Sequence, residues 1–89
     1  MTQEVDTAKL VVSVVASEKA YRLAEIQNYL VFKVLRSANK KQIKEAIEKL
    51  YNVKVVSIKT LIDRDGYKKA YVRLAPEHNA LDILERLTR

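Results

Sequence analysis

The 89-residue sequence has no cysteine and no tryptophan, and only one glycine, one proline and one histidine. Without cysteine there is no disulfide framework, no thiolate nucleophile and no Cys-based zinc site, so nothing assigns the chain to an oxidising compartment. The single His78 cannot form a His-His metal pair, and just after Pro76 it reads as a loop residue. Long apolar runs are missing too. The stretch from Leu10 to Val15 is too short for a membrane helix or a signal-peptide core, and Glu4 and Asp6 stand where a signal peptide carries positive charge. No membrane insertion is expected, and the cytoplasm is the default location. None of GxGxxG, GxxxxGK[ST], HExxH or GxSxG occurs. Asp63 and Asp65 share a short turn with Arg64, which supplies too few oxygen ligands for a cation and suits ordinary backbone capping. An enzyme is therefore not expected, nor a cofactor or a small-molecule substrate. Acidic residues are the scarcer sign: 11 Asp+Glu against 17 Lys+Arg leave +6, which points to an anionic partner.

What is present is 48% hydrophobic and 31% charged, the balance of one small domain over residues 1–89, with 1–8 expected to fray. Gly66 and Pro76 are the only strong breakers, so regular elements with short connections should fill the chain. Residues 9–16 are β-rich, and Ser17 follows as a helix N-cap with Glu18 in the first turn, where the helix dipole favours an anion. Ala20, Leu23, Ala24 and Gln27 then share a helix face. Residues 29–35 read as a strand with Leu30, Phe32 and Val34 on one side and Val31, Lys33 and Leu35 on the other. Asn39 and Gln42 have capping-box spacing, ahead of a helix whose inward stripe is Ile43, Ala46, Ile47 and Leu50. Asn52 is placed to end that helix in a left-handed conformation. Residues 53–62 and 67–74 form a hairpin across Asp63-Arg64-Asp65-Gly66, and 79–87 a last helix with Ala80, Ile83, Leu84 and Leu87 inward. The order β-α-β-α-β-β-α predicts an α+β fold, an antiparallel or mixed sheet of three to four strands covered by helices.

The last strand carries the chemistry. Alternation puts Lys68, Ala70, Val72 and Leu74 on one face and Tyr67, Lys69, Tyr71 and Arg73 on the other. Cations for phosphates beside rings for bases make a nucleic-acid platform, although the same row also suits an ordinary solvated strand. The distribution of charge favours the platform. Residues 33–73 hold twelve Lys or Arg and four Asp or Glu, a balance of +8, which leaves −2 for the rest. Lys44, Glu45 and Lys49 fit a solvated helix face. Lys40 and Lys41 open their helix against its dipole, a position that favours a bound phosphate.

The run Lys68-Lys69-Ala70-Tyr71-Val72-Arg73-Leu74 resembles the L23 family of large-subunit ribosomal proteins. Ser17-Glu18-Lys19-Ala20, Asn28-Tyr29-Leu30-Val31-Phe32-Lys33-Val34, Asn39 before the Lys-rich helix, Tyr51-Asn52-Val53-Lys54-Val55 and Thr60-Leu61 fit the same order, so the likeness runs from about Lys9 to Leu87. It implies a non-catalytic constituent of the large subunit, cytoplasmic, bound to large-subunit rRNA and neighbouring ribosomal proteins near the polypeptide exit tunnel. Carried over by position, RNA contacts fall on Lys19, Lys40, Lys41, Lys59, Thr60, Lys68, Lys69, Tyr71 and Arg73. Glu18 falls on a docking surface for the signal recognition particle or a chaperone. Bacterial members insert a long basic loop between the last two strands. The four-residue turn here lacks it and is similar to archaeal members. Asn52 stands where the family often has Gly, and both residues tolerate the left-handed conformation. Two alternatives come from the residues themselves: a free-standing module stacking single-stranded bases on the Tyr67/Tyr71 face, and an interaction module whose charge serves solubility.

Overall fold

Leu30, Phe32 and Val34 alternate along one strand and are fully buried, because that strand lies second in a four-stranded sheet with helices over one face. The structure is a computed structural model and describes residues 10–88. The expected fraying of residues 1–8 falls outside them. The elements are β1 (Val11–Val14), α1 (Glu18–Gln27), β2 (Tyr29–Val34), α2 (Lys40–Tyr51), β3 (Val55–Ile62), β4 (Lys68–Leu74) and α3 (Ala80–Leu87), in the expected order. The strands lie β1-β2-β4-β3 and every neighbouring pair is antiparallel, so the fold is α+β with no parallel pairing among the described residues.

Two strands are shorter than the apolar pattern suggests. β1 begins only at Val11, and a register shift between Val11 and Ser13 interrupts its pairing with β2. β3 begins at Val55 because Asn52, at φ 52°, ends α2 in the left-handed region and the chain needs Val53 and Lys54 to turn. The expected capping box at the start of α2 is present, Asn39 Oδ1 accepting from Gln42 N at 2.8 Å and Gln42 Oε1 from Asn39 N at 3.1 Å. Ser17 caps α1 through Ala20 N at 3.2 Å.

The core joins β2 and β4 (Leu30, Phe32, Val34, Ala70, Val72, Leu74) to Ile43 and Ile47 of α2, Ala24 of α1, and Ala80 and Leu84 of α3. Leu50 departs from its expected inward position and is 44% exposed. Tyr51, four residues after Ile47, takes its place, and its ring stacks on Phe32 with centroids 5.5 Å apart. Burial pushes the Tyr51 hydroxyl above the usual tyrosine pKa. The hairpin turn closes with Asp63 N donating to Tyr67 O at 2.8 Å and Gly66 N to Asp63 O at 3.1 Å. Gly66 sits there at φ +87°, a conformation other residues rarely adopt. Asp63 and Asp65 cap backbone N–H groups of Arg64 and Tyr67 at 2.8 and 3.1 Å, the role expected of them.

α1 packs beside β2 and against α3, so its flank borders the sheet face opposite the core. Lys19 and Leu23 on that flank therefore reach the same surface as Tyr71 of β4.

Candidate nucleic-acid interface

Register, rather than sequence proximity, assembles the far face of the sheet. Tyr29 pairs with Arg73 and Arg73 with Ser57, Val31 with Tyr71 and Tyr71 with Lys59, Lys33 with Lys69 and Lys69 with Leu61. These three cross-strand rows put three lysines, an arginine and two tyrosines on one surface. The rows differ in their surroundings.

The row nearest the hairpin is already neutralised. Lys33 Nζ lies 2.8 Å from Asp65 Oδ2 and Lys69 Nζ 3.7 Å from Asp63 Oδ2. The Lys33 ammonium also sits 4.3 Å from the centroid of the Tyr67 ring. The hydrogen bond to Asp65 raises the pKa of Lys33, and the same bond holds Asp65 below the usual carboxylate value. Asp65 and Asp63 of the turn thus answer Lys33 and Lys69 of the sheet face.

The other rows open onto a depression of about 560 Å³ lined by Lys19, Leu23, Gln27, Tyr29, Lys40, Lys59, Thr60, Leu61 and Tyr71. Every charged residue in that lining is a lysine. Lys19, Lys40 and Lys59 make no ion pair among the described residues. A narrower crevice adjoins it, where Val31, Lys69 and Tyr71 meet Val15, Ser17, Lys19, Ala20 and Leu23. α1 therefore walls the platform on one side.

The residues expected from the sequence to touch RNA divide accordingly. The structure brings Lys19, Lys40, Lys59, Thr60 and Tyr71 to the depression and Lys69 to the adjoining crevice. Arg73 lines a separate apolar hollow with Ile26, Val56 and Pro76. Lys41 is exposed on α2, one residue past Lys40. Lys68 stands apart, on the core side of β4 as alternation requires, with its ammonium donating to Ala38 O at 2.7 Å. Glu18 points to solvent, its side chain 85% exposed and 3.3 Å from Arg22 in an i,i+4 pair. It lines neither depression nor crevice.

Two residues that the sequence pattern left without a role matter here. Tyr29, rather than Tyr67, shares the depression with Tyr71. It is positioned by Asn28, which ends α1 at φ 59° and ties three segments together. Asn28 Nδ2 lies within donating distance of Leu74 O, Ala75 O and His78 O at 3.1, 3.2 and 2.9 Å, and its Oδ1 accepts from Ala80 N at 2.8 Å. The signal for it was available, since Asn is the commonest non-glycine residue in that helix-ending conformation. His78 lies 3.9 Å from Glu77, too far for a hydrogen bond and remote from the depression.

Known proteins bear on this geometry. Residues 9–65 match the sequence profile described as ribosomal protein L23. The chain is 55% identical over 74 residues to the large ribosomal subunit protein uL23 of Pyrobaculum aerophilum, covering 83% of this chain and 91% of that one. It is 51% identical over 81 residues to uL23 of Caldivirga maquilingensis, covering 91% and 94%. With uL23 of Cyberlindnera jadinii it shares 48% over 85 residues, which is 96% of this chain and 60% of the longer protein. Identity of this extent over most of the chain, on an α+β fold with the element order read from the sequence, places the protein in the ribosomal protein L23 family, a family of structural, non-catalytic large-subunit proteins.

Proposed function

We propose that this large-subunit ribosomal protein holds large-subunit rRNA, near the polypeptide exit tunnel, against the surface formed by α1, the start of α2, β3 and the far face of the sheet. The observation that carries the reading is the depression in which every charged residue is a lysine and none has an ionic partner among the described residues. Unpaired cations crowded on a protein surface repel one another, and a phosphate backbone relieves that repulsion while releasing its own counterions. Lys19, Lys40 and Lys59 are the principal phosphate contacts in this reading, with Lys41 and Arg73 extending the track and Thr60 and Tyr71 adding polar and stacking contacts, while Lys69, held by Asp63, contributes little. Lys68 is tied to Ala38 and contributes to the fold instead. Neighbouring ribosomal proteins complete its surroundings.

The test is binding to deproteinised large-subunit rRNA between 50 and 200 mM salt. Lys19/Lys40/Lys59→Ala is expected to lower affinity roughly 100-fold at physiological salt and to flatten the log–log salt slope by about two to three units. An unchanged slope would remove these lysines from the interface. Glu18, the solvent-facing anion at the start of α1, is proposed as the docking point for the signal recognition particle or a chaperone. Glu18→Ala should then weaken factor recruitment to ribosomes without disturbing subunit assembly. Unaltered recruitment would leave it as a first-turn anion paired with Arg22.

A further inference from the structure

The depression has features that phosphate binding alone does not need. Between its lysines lie Leu23, Leu61 and the half-buried rings of Tyr29 and Tyr71. A regular A-form duplex presents phosphates and hydroxyls to a protein and has no use for an aromatic and aliphatic floor. The depression is open to solvent and about 560 Å³ in volume, room enough for a base to enter from the surface. Gln27 and Thr60 add an amide and a hydroxyl to the lining, and neither side chain makes a hydrogen bond among the described residues. An aromatic floor, unpaired cations around it and uncommitted polar groups are together the requirements of a nucleotide that has left its helix.

We propose that this depression receives one unpaired nucleotide of the bound RNA, its base on the Tyr71 and Tyr29 rings and its flanking phosphates on Lys19, Lys40 and Lys59. The proposal rests on the reading of the chain as an rRNA-binding protein and adds the element of RNA that it selects. Tyr29 and Tyr71 are diagonal neighbours across β2 and β4, since Tyr71 opposes Val31, two residues along from Tyr29. Diagonal pairs of this kind lie within reach of one another, so a single base can contact both rings. Tyr67 is excluded from the role, because Lys33 covers its ring at the other end of the sheet. The charge pattern argues against a basic protein tail as occupant, which three lysines without an ionic partner among the described residues would repel. The hollow lined by Ile26, Val56 and Pro76 has only Arg73 as a charge and nothing comparable to indicate its occupant.

The experiment compares wild type, Tyr71→Leu and Tyr71→Phe on deproteinised large-subunit rRNA, with affinity, salt slope and base-edge modification by dimethyl sulfate as readouts. Stacking needs the ring but not its hydroxyl. Tyr71→Leu is therefore expected to lose roughly 5- to 140-fold in affinity at an unchanged salt slope. Tyr71→Phe should bind as wild type does. One unpaired adenine or cytosine should be protected by wild type and by Tyr71→Phe, and become reactive with Tyr71→Leu. Equal affinity of all three, or a Tyr71→Leu loss accompanied by a flatter slope, overturns the nucleotide receptacle while the rRNA-binding reading stands. A wild-type protein that fails to bind the rRNA at low salt takes both down.

Discussion

The two ends of the sheet's far face use the same residue types to opposite effect. At the hairpin end Lys33 and Lys69 are answered by Asp65 and Asp63, and the Tyr67 ring is covered by an ammonium group. At the α1 end Lys19, Lys40 and Lys59 have no acidic neighbour in the depression among the described residues, and Tyr29 and Tyr71 line its open space. Pairing satisfies a cation locally and removes most of its pull on a distant phosphate, whereas an unpaired cation keeps its field. The net charge of +6 cannot distinguish these cases. What a basic platform binds depends on which of its lysines the fold has left unanswered.

The sharpest way to break the comparison is to remove cations from each end separately. Beside the roughly 100-fold loss expected for Lys19/Lys40/Lys59→Ala, Lys33/Lys69→Ala should cost at most a few-fold in rRNA affinity and move the salt slope by less than one unit. Filter binding across the same salt range checks both. A hairpin-end loss equal to the α1-end loss would mean that the aspartates do not silence their lysines, and the distinction would fail.

A second, smaller effect tests what holds the open end in place. Asn28 joins the end of α1 to the end of β4 and the start of α3, and its neighbour Tyr29 leads into β2. Asn28→Ala leaves carbonyls without their donor, removes the acceptor for Ala80 N, and forces a residue with little tolerance for the left-handed region to φ 59°. A loss of about 2 kcal/mol is expected, which lowers Tm by roughly 8 to 16 °C in a domain of this size. Asn28→Gly should recover only the backbone part of that loss, because glycine accepts the dihedral angle but restores no hydrogen bond. Thermal unfolding of the two variants separates the contributions.

The same residue shows where the sequence could and could not be read. Elements whose cause is local were legible: the Asn39–Gln42 capping box, the alternation of Leu30, Phe32 and Val34, the Asp-rich turn at Gly66, and Asn52 ending α2. Asn28 adopts the same conformation as Asn52, but its three carbonyl partners lie 46 to 50 residues away and no spacing rule connects them. The candidate site divided in the same way. Tyr71, Lys69 and Arg73 share a face by strand alternation, which any strand obeys. That Lys19, Lys40 and Lys59 from three elements converge on one hollow depends on the packing of α1 beside β2, and the choice of Tyr29 over Tyr67 depends on cross-strand register. The concentration of positive charge in residues 33–73 was correct as a count, yet two of those lysines are paired while Lys19 of the depression lies outside the segment.

The smallest expected effect concerns the hairpin end alone, and its direction comes from the shifted pKa values. Asp65 is held below 3.8, chiefly by the hydrogen bond from Lys33, so its stabilising contribution is present above that value and lost as pH falls through the depressed one. Lys33 is raised above 10.5, chiefly by the same bond, so its contribution is present below that value and lost only as pH rises through the raised one. Between about pH 4 and 10 the pair is intact, and the hairpin should behave identically across that window. Both groups are solvent-accessible, so water screens the pair and its loss opens the tip without unfolding the sheet. Acidification below the window should therefore shift the amide signal of Gly66 and the ring signals of Tyr67, as Asp65 releases Lys33 from the ring. The ring signals of Tyr71 should stay in place through the same titration, since no carboxylate among the described residues lines its depression. In Asp65→Asn the Tyr67 shift should be largely abolished, because the partner that holds Lys33 is gone. If Tyr71 moved together with Tyr67, the two ends of the face would respond as one surface, and the separation between a silenced and an available set of cations would have to be given up.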